Sequence, residues 1–179
     1  MLSAVNGANR PGAVRYIAAG AAIAALAAAD QAVKALVKAK LPFQQPVPVI
    51  KGLLNWTYTT NTGGGFSILS GRTLFLIIFT VCLMAALAFM YIRGFFSHWL
   101  GRLSCVLILA GGIGNLIDRV FNQGRVIDYI DISPLFDFAI FNLADCCVTV
   151  GGTLLCVYVL FFHDKHDKED DSPKEKETE

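Results

Sequence analysis

Two aspartates invite chemistry because each sits where a charge is costly. Asp145 lies in "FNLADCCVTVGG", Phe141 to Gly152, at the head of an apolar run that continues to Phe162. At about 1.5 Å per helical residue that run is long enough to cross a bilayer. A carboxylate costs roughly 2.5 to 3.5 kcal/mol at the centre of such a helix and less near its end, so another feature must justify it. Asp128 lies in "VIDYIDISPLF", between Ile127 and Tyr129. On an extended strand Asp128 and Ile130 take one face and Ile127, Tyr129 and Asp131 the other, so one of the two acids is expected to point inward. The chemistry on offer is proton transfer by carboxylates. Plainer readings are available for both: Asn142 and Asp145 suit the N-cap and third position of a helix, where they satisfy free amides and the helix dipole, and Asp128 and Asp131 suit a solvated loop.

Other groups for chemistry are few. Before His163 the only acidic side chains are Asp30, Asp118, Asp128, Asp131, Asp137 and Asp145, and every glutamate lies in the closing segment "HDKHDKEDDSPKEKETE". Cys82, Cys105, Cys146, Cys147 and Cys156 are odd in number, fall in apolar stretches and form no CxxC pair, so they read as small hydrophobes and no metal site or cofactor is expected. His98, His163 and His166 stand beside segment ends, where no Ser-His-Asp triad can be assembled. In "GGIGNLIDRV", Asn115 and Arg119 share a helix face at i and i+4, and Gly111, Gly112 and Gly114 permit close helix packing. Arg119 either snorkels to the interface or binds an anion. Asn61 offers an amide at the edge of the "NTGGGF" turn, and Asp30 and Lys34 form an i,i+4 pair.

These residues must be positioned by membrane helices. The chain has 179 residues, 55% hydrophobic and 16% charged, with a mean hydropathy of +0.55, which is too apolar for an ordinary soluble domain. Apolar spans at Tyr16–Leu36, Thr73–Ile92, Leu100–Ile117 and Phe141–Phe162 each have the length of a membrane helix. The first is alanine-rich, and a cleaved signal peptide is the alternative to the retained span expected here. Four spans place both termini on one side. Basic residues flank both faces, and the acid-free connection from Arg93 to Arg102 favours the cytoplasm. Between the first two spans, Trp56 and Tyr58 alternate with Asn55, Thr57 and Thr59, which predicts short antiparallel strands at the membrane surface. The fold class expected is thus an all-α membrane protein of four transmembrane helices with a small β element between the first and second. The segment 1–15 reads as a leader and 163–179 as a disordered, solvated tail.

"DQAVK" (Asp30 to Lys34), "NTGGGFS" (Asn61 to Ser67), "GGIGNLIDR" (Gly111 to Arg119), "VIDYID" (Val126 to Asp131) and "FNLAD" (Phe141 to Asp145) stand in the order and spacing of the bacterial lipoprotein signal peptidases, signal peptidase II. The resemblance covers roughly residues 16 to 162. Departures are Gly63–Gly65, where the family commonly has Gly-Ala-Ala, and Cys146 and Cys147, where Ser or Thr and Ala are usual. The resemblance implies an aspartic endopeptidase of the bacterial inner membrane with its site on the extracytoplasmic side. Asp128 and Asp145 would be its dyad, Asn61, Asn115, Arg119 and Asn142 would orient the dyad or the substrate, and Asp30, Lys34 and Gly111 would support them. It implies as substrate a prolipoprotein whose cysteine already carries diacylglycerol, cut on the amino side of that cysteine. Membrane lipids are the other expected partner, no nucleic acid is expected, and the chain is expected to act as a monomer. Two other classes remain open on the residues alone: a proton-coupled transporter in which the two aspartates relay protons, and a non-catalytic assembly subunit.

Overall fold

The computed structural model describes residues 12–63 and 72–162. Most of the leader, all of the tail from His163, and Gly64 and Gly65 of the glycine turn lie outside the described residues. Four helices, α1 (Ala13–Lys40), α2 (Thr73–Ile92), α3 (Trp99–Phe121) and α4 (Leu143–Phe161), are joined with three strands, β1 (Val47–Ile50), β2 (Leu54–Asn61) and β3 (Val126–Asp131). All four helices are long and apolar enough to cross a membrane.

Two of the helices outrun the spans expected from hydropathy. α1 continues to Lys40 and stops where Leu41, extended at φ −105° and ψ 139°, precedes Pro42, because a residue before proline is disfavoured in the helical region. α3 continues to Phe121, through Asn115, Asp118 and Arg119, and all three of these are buried. They do not snorkel to the interface; they turn into the bundle. α3 is the central helix, with half of its apolar window inside the molecule, and it packs against α1, α2 and α4. α2 is the opposite case. Leu74, Phe75, Ile78 and Phe79 are all more than half exposed, an outward apolar face that is stable only against lipid.

The sheet is larger than the expected element. β1 and β2 form the antiparallel pair between the first two helices, and β3, from the α3–α4 connection, adds to β2 in the order β1-β2-β3. Its register sets Asp128 opposite Thr59, Asp131 opposite Asn55 and Val126 opposite Asn61. β3 is covered on its other edge by a bridge from Ile130 to Phe141, and Ile127 and Tyr129 pack on Val37 of α1. Alternation therefore fails on this strand: Asp128 and Asp131 are both buried. Asp131 is taken up locally, accepting from Thr57 Oγ1 at 2.6 Å and Ser133 N at 3.0 Å.

At the other end of the bundle, Leu87, Phe96, Leu100, Cys105, Leu109 and Tyr158 form the apolar core. Cys105 and Cys147 are buried as the sequence suggested, whereas Cys82 and Cys156 face outward among the lipid-facing side chains. α3 and α4 come close together at Gly111, where an added Cβ would meet the Ala144 carbonyl oxygen and come within 2.8 Å of Val148. Overpacking of this kind costs about 1–3 kcal/mol, against the roughly 1 kcal/mol that alanine gains over glycine in a helix. Gly111→Ala is expected to lower the thermal unfolding midpoint in detergent, while Gly152→Ala, where a Cβ meets nothing within 4 Å, leaves it unchanged or slightly higher. Equal midpoints for the two variants would contradict the close helix contact.

Candidate active site

The first turn of α4 builds half of the site. Asn142 is its N-cap, accepting from Asp145 N at 2.9 Å, while Asp145 Oδ2 accepts from Asn142 N at 3.2 Å. The capping arrangement anticipated for these two residues is formed, but it does not exhaust them. Asn142 is fully buried, and its Nδ2 reaches Asp128 Oδ1 at 2.7 Å, Asn115 Oδ1 at 3.1 Å and the Ile127 carbonyl at 3.2 Å. One asparagine therefore touches both aspartates. Asp128 receives a second donor, Asn61 Nδ2, from the end of β2. Asp145 Oδ1 receives Asn115 Nδ2 at 2.8 Å.

Behind the pair stands Lys34. An ammonium has three protons to give, and Lys34 Nζ finds Asp30 Oδ2 at 2.8 Å, Asp118 Oδ2 at 3.0 Å and Asn115 Oδ1 at 3.1 Å. Each acid then turns its remaining capacity to a backbone amide: Asp30 Oδ1 accepts from Ala144 N at 3.0 Å and Asp118 Oδ2 from Ile127 N at 3.0 Å. Gln31 closes the cluster, donating to the Gly114 carbonyl at 3.0 Å and Asp118 Oδ1 at 3.1 Å. Gly114 is small of necessity, because a Cβ there would lie 2.6 Å from Asp30 Oδ2.

All the residues singled out in the sequence gather here: Asp128, Asp145, Asn61, Asn115, Arg119 and Asn142, with Asp30, Lys34 and Gly111 in support. Asn115 uses its amide oxygen on Lys34 and Asn142 and its nitrogen on Asp145, which makes it a holder of the pair. Arg119 donates to the Gly63 carbonyl at 2.9 Å and to Asn115 O at 3.4 Å. Its Nε, and Asn61 Oδ1, are buried with no partner among the described residues. Gln31, Gly114 and Asp118 were not singled out as site residues. For Asp118 a signal existed, since it lies three positions after Asn115 and one before Arg119, but nothing in the sequence says that it faces Lys34.

Burial pushes the Asp128 carboxyl up to about 7, and the charge of Asp145 adds to the rise, against the hydrogen bonds from Asn61 and Asn142 and the charge of Lys34. Asp128 thus holds a proton near neutral pH. Its folded value lies above the unfolded one, so between about pH 4 and 7 the folded chain binds more protons here than the unfolded chain. The contribution of Asp128 to stability is therefore greatest below that window and is lost as pH rises through it.

Comparison with known proteins gives a consistent set of relatives. The family model described as "Signal peptidase (SPase) II" matches residues 22–161. The chain is 43% identical over 143 residues to the lipoprotein signal peptidase of Streptococcus thermophilus (strain CNRZ 1066), covering 79% of this chain and 92% of that protein. It is 37% identical over 137 residues to the lipoprotein signal peptidase of Clostridioides difficile (strain 630), covering 76% and 90%. A solved bacterial membrane enzyme superposes with a TM-score of 0.75 at 31% identity, covering 90% of this chain and 94% of the other.

The proton on Asp128 can be followed by infrared spectroscopy, using Asp128→Asn to identify its carboxyl band. We expect that band to titrate near pH 7, to move to lower pH in Asp145→Asn, which removes the like charge, and to move higher in Asn61→Ala, which removes a stabilising donor. A band that titrates in the ordinary carboxylate range, or that ignores Asp145→Asn, would show that the two aspartates do not interact.

Proposed function

The chain belongs to the signal peptidase II family and is a multi-pass membrane protein, and on that premise we propose that it is an aspartic endopeptidase that removes the signal peptide from diacylglyceryl-modified prolipoproteins. The observation that carries the aspartic mechanism is Asn142, whose side chain and backbone bind Asp128 and Asp145 together. Two carboxylates so held share one proton. Asp128 carries it, and Asp145, at a helix N-terminus, carries the charge.

The reaction follows from that division. Asp145 takes a proton from a water molecule, whose oxygen bonds to the scissile carbonyl carbon. Asp128 gives its proton to the oxyanion as it forms a gem-diol, and collapse of that tetrahedral species breaks the carbon–nitrogen bond while a proton passes from Asp145 to the leaving nitrogen and one hydroxyl proton returns to Asp128, which restores the pair. The products are a free carboxyl end on the signal peptide and a free amino end on the lipidated cysteine. No covalent intermediate forms. Arg119 Nε and Asn61 Oδ1, a donor and an acceptor without a partner among the described residues, are suited to the substrate's backbone.

The cut falls on the amino side of the lipidated cysteine, because the diacylglyceryl chains anchor that residue at the membrane surface where the pair lies. Each buried methylene contributes about 0.8 kcal/mol to that anchoring. We place the enzyme in the bacterial inner membrane as a monomer. Its termini are cytoplasmic, and the sheet and the aspartates lie on the extracytoplasmic side, with residues 16–162 as the peptidase domain and the segments before and after it dispensable for catalysis.

Asp128→Asn and Asp145→Asn are each expected to lower cleavage of a lipidated precursor by at least the roughly 10²- to 10⁴-fold typical of lost acid–base catalysis, with the protein still folded and inserted. Activity near the wild-type rate in either variant would end the aspartic reading. Mass spectrometry of products from paired lipidated and unlipidated precursors is expected to show a very poor reaction of the unlipidated one, and Arg119→Ala is expected to weaken cleavage of the lipidated one. Equal cleavage of both precursors would mean that the lipid is not recognised.

A further inference from the structure

At the end of the bundle opposite the aspartates, α1, α2 and α3 border a shallow, open groove of about 320 Å³. Arg15, Tyr91 and Arg102 line it together with the apolar side chains of Ala18, Leu103 and Val106. The two guanidiniums are not compensated within the described part of the chain. Every acid there belongs to the other end: at 1.5 Å per residue, Asp30 is about 22 Å along α1 from Arg15, and Asp118 about 24 Å along α3 from Arg102. Both ion pairs among the described residues likewise involve Lys34 at that far end. Arg93, nearby in sequence, is differently engaged, with its guanidinium 5.5 Å above the Phe89 ring. Arg15 and Arg102 instead line a common groove, so that two positive charges meet beside one apolar wall.

The groove is held open by contacts of its own. Tyr16 Oη donates to the Ile92 carbonyl at 3.2 Å, and its ring meets Tyr91 edge-on with centroids 6.1 Å apart, which ties the start of α1 to the end of α2. A guanidinium binds phosphate oxygens through two parallel hydrogen bonds, and Tyr91 lines the groove beside the two arginines. Beside these polar groups the wall is aliphatic. A site with cations at one side and apolar side chains at the other matches an amphiphile better than a free ion.

We propose that this groove binds the phosphodiester head of an anionic membrane phospholipid, with the guanidiniums of Arg15 and Arg102 on the phosphate and the start of an acyl chain along Ala18, Leu103 and Val106. The competing anion within the chain itself is the segment after Phe162, which carries Asp164, Asp167, Glu169, Asp170 and Asp171. Its first nine residues are all charged or histidine and offer nothing to fill the aliphatic wall, which favours the lipid.

Native mass spectrometry of the detergent-purified full chain tests this without reference to cleavage. Phosphatidylglycerol, phosphatidylcholine and inorganic phosphate are added in parallel to the wild type and to the double variant Arg15→Gln, Arg102→Gln. The wild type is expected to retain phosphatidylglycerol at least about tenfold better than phosphatidylcholine, as two basic residues at a lipid surface allow, and the double variant is expected to lose that preference with its peptidase activity unchanged. Should the double variant fold poorly, Arg15→Gln alone, at the exposed first turn of α1, is expected to lose part of the preference. Equal retention of the two lipids, or a preference that survives removal of both arginines, overturns the proposal. Inorganic phosphate retained as well as the lipid would make this a phosphate site. Phosphatidylglycerol binding seen only after Asp170→Asn and Asp171→Asn would give the groove to the tail.

Discussion

The buried ammonium of Lys34 is the interaction on which the rest of the structure depends. It draws Asp30 of α1 and Asp118 of α3 into the bundle, and those acids in turn hold the amides of Ala144 in α4 and Ile127 in β3. Removing one member of such a cluster leaves an uncompensated charge, which costs about 3–5 kcal/mol in buried pairs. The cluster also fixes direction. Lys34 can only donate, so the Asn115 oxygen must face it and the Asn115 nitrogen must face Asp145. A cation one layer back thereby determines how the aspartate pair is presented.

Membrane and site place opposite demands on the same helices, and the demands are divided between them. α2 meets the membrane's, turning leucine, isoleucine and phenylalanine outward. α3 meets the site's, and it carries buried polar residues because α1, α4 and the sheet enclose them. Small residues make that enclosure possible: Gly111 lets α4 come against α3, and Gly114 lets the Asp30 carboxylate come against it. The sheet does for the aqueous end what helices do within the bilayer. By adding β3 to β2 it satisfies the backbone around Asp128 without help from solvent.

Much of this was legible before any coordinates. Four apolar runs gave four helices, since a run near twenty residues long with at most two charges is long and apolar enough to cross a membrane. Asn142 and Asp145 could be read as a helix start from their spacing alone, because capping is local. Local patterns failed where the partner was distant. The alternation of "VIDYID" implied one inward acid, yet β2 on one edge and Phe141 on the other bury Asp128 and Asp131 alike. Hydropathy ended the third helix near Ile117, since it weighs Asn115, Asp118 and Arg119 as solvent-seeking and has no knowledge of Lys34. The Gln31–Asp118 and Asp30–Ala144 contacts join positions far apart in the chain, and no periodicity reports them.

The position of Asn142 at the head of the last helix has a consequence for how the molecule comes into being. A ribosome that has delivered α1, α2, α3 and the sheet has delivered Asp128, Asn61 and the whole Lys34 cluster, but neither the second aspartate nor the asparagine that binds both. Asn142 and Asp145 arrive together, and the amide of Ala144 that fastens them to Asp30 arrives between them. Until α4 has entered the membrane and packed on α3, the nascent chain holds a solitary carboxyl with no counterpart. Order of synthesis thus leaves the joining of the two aspartates to the last helix to be made.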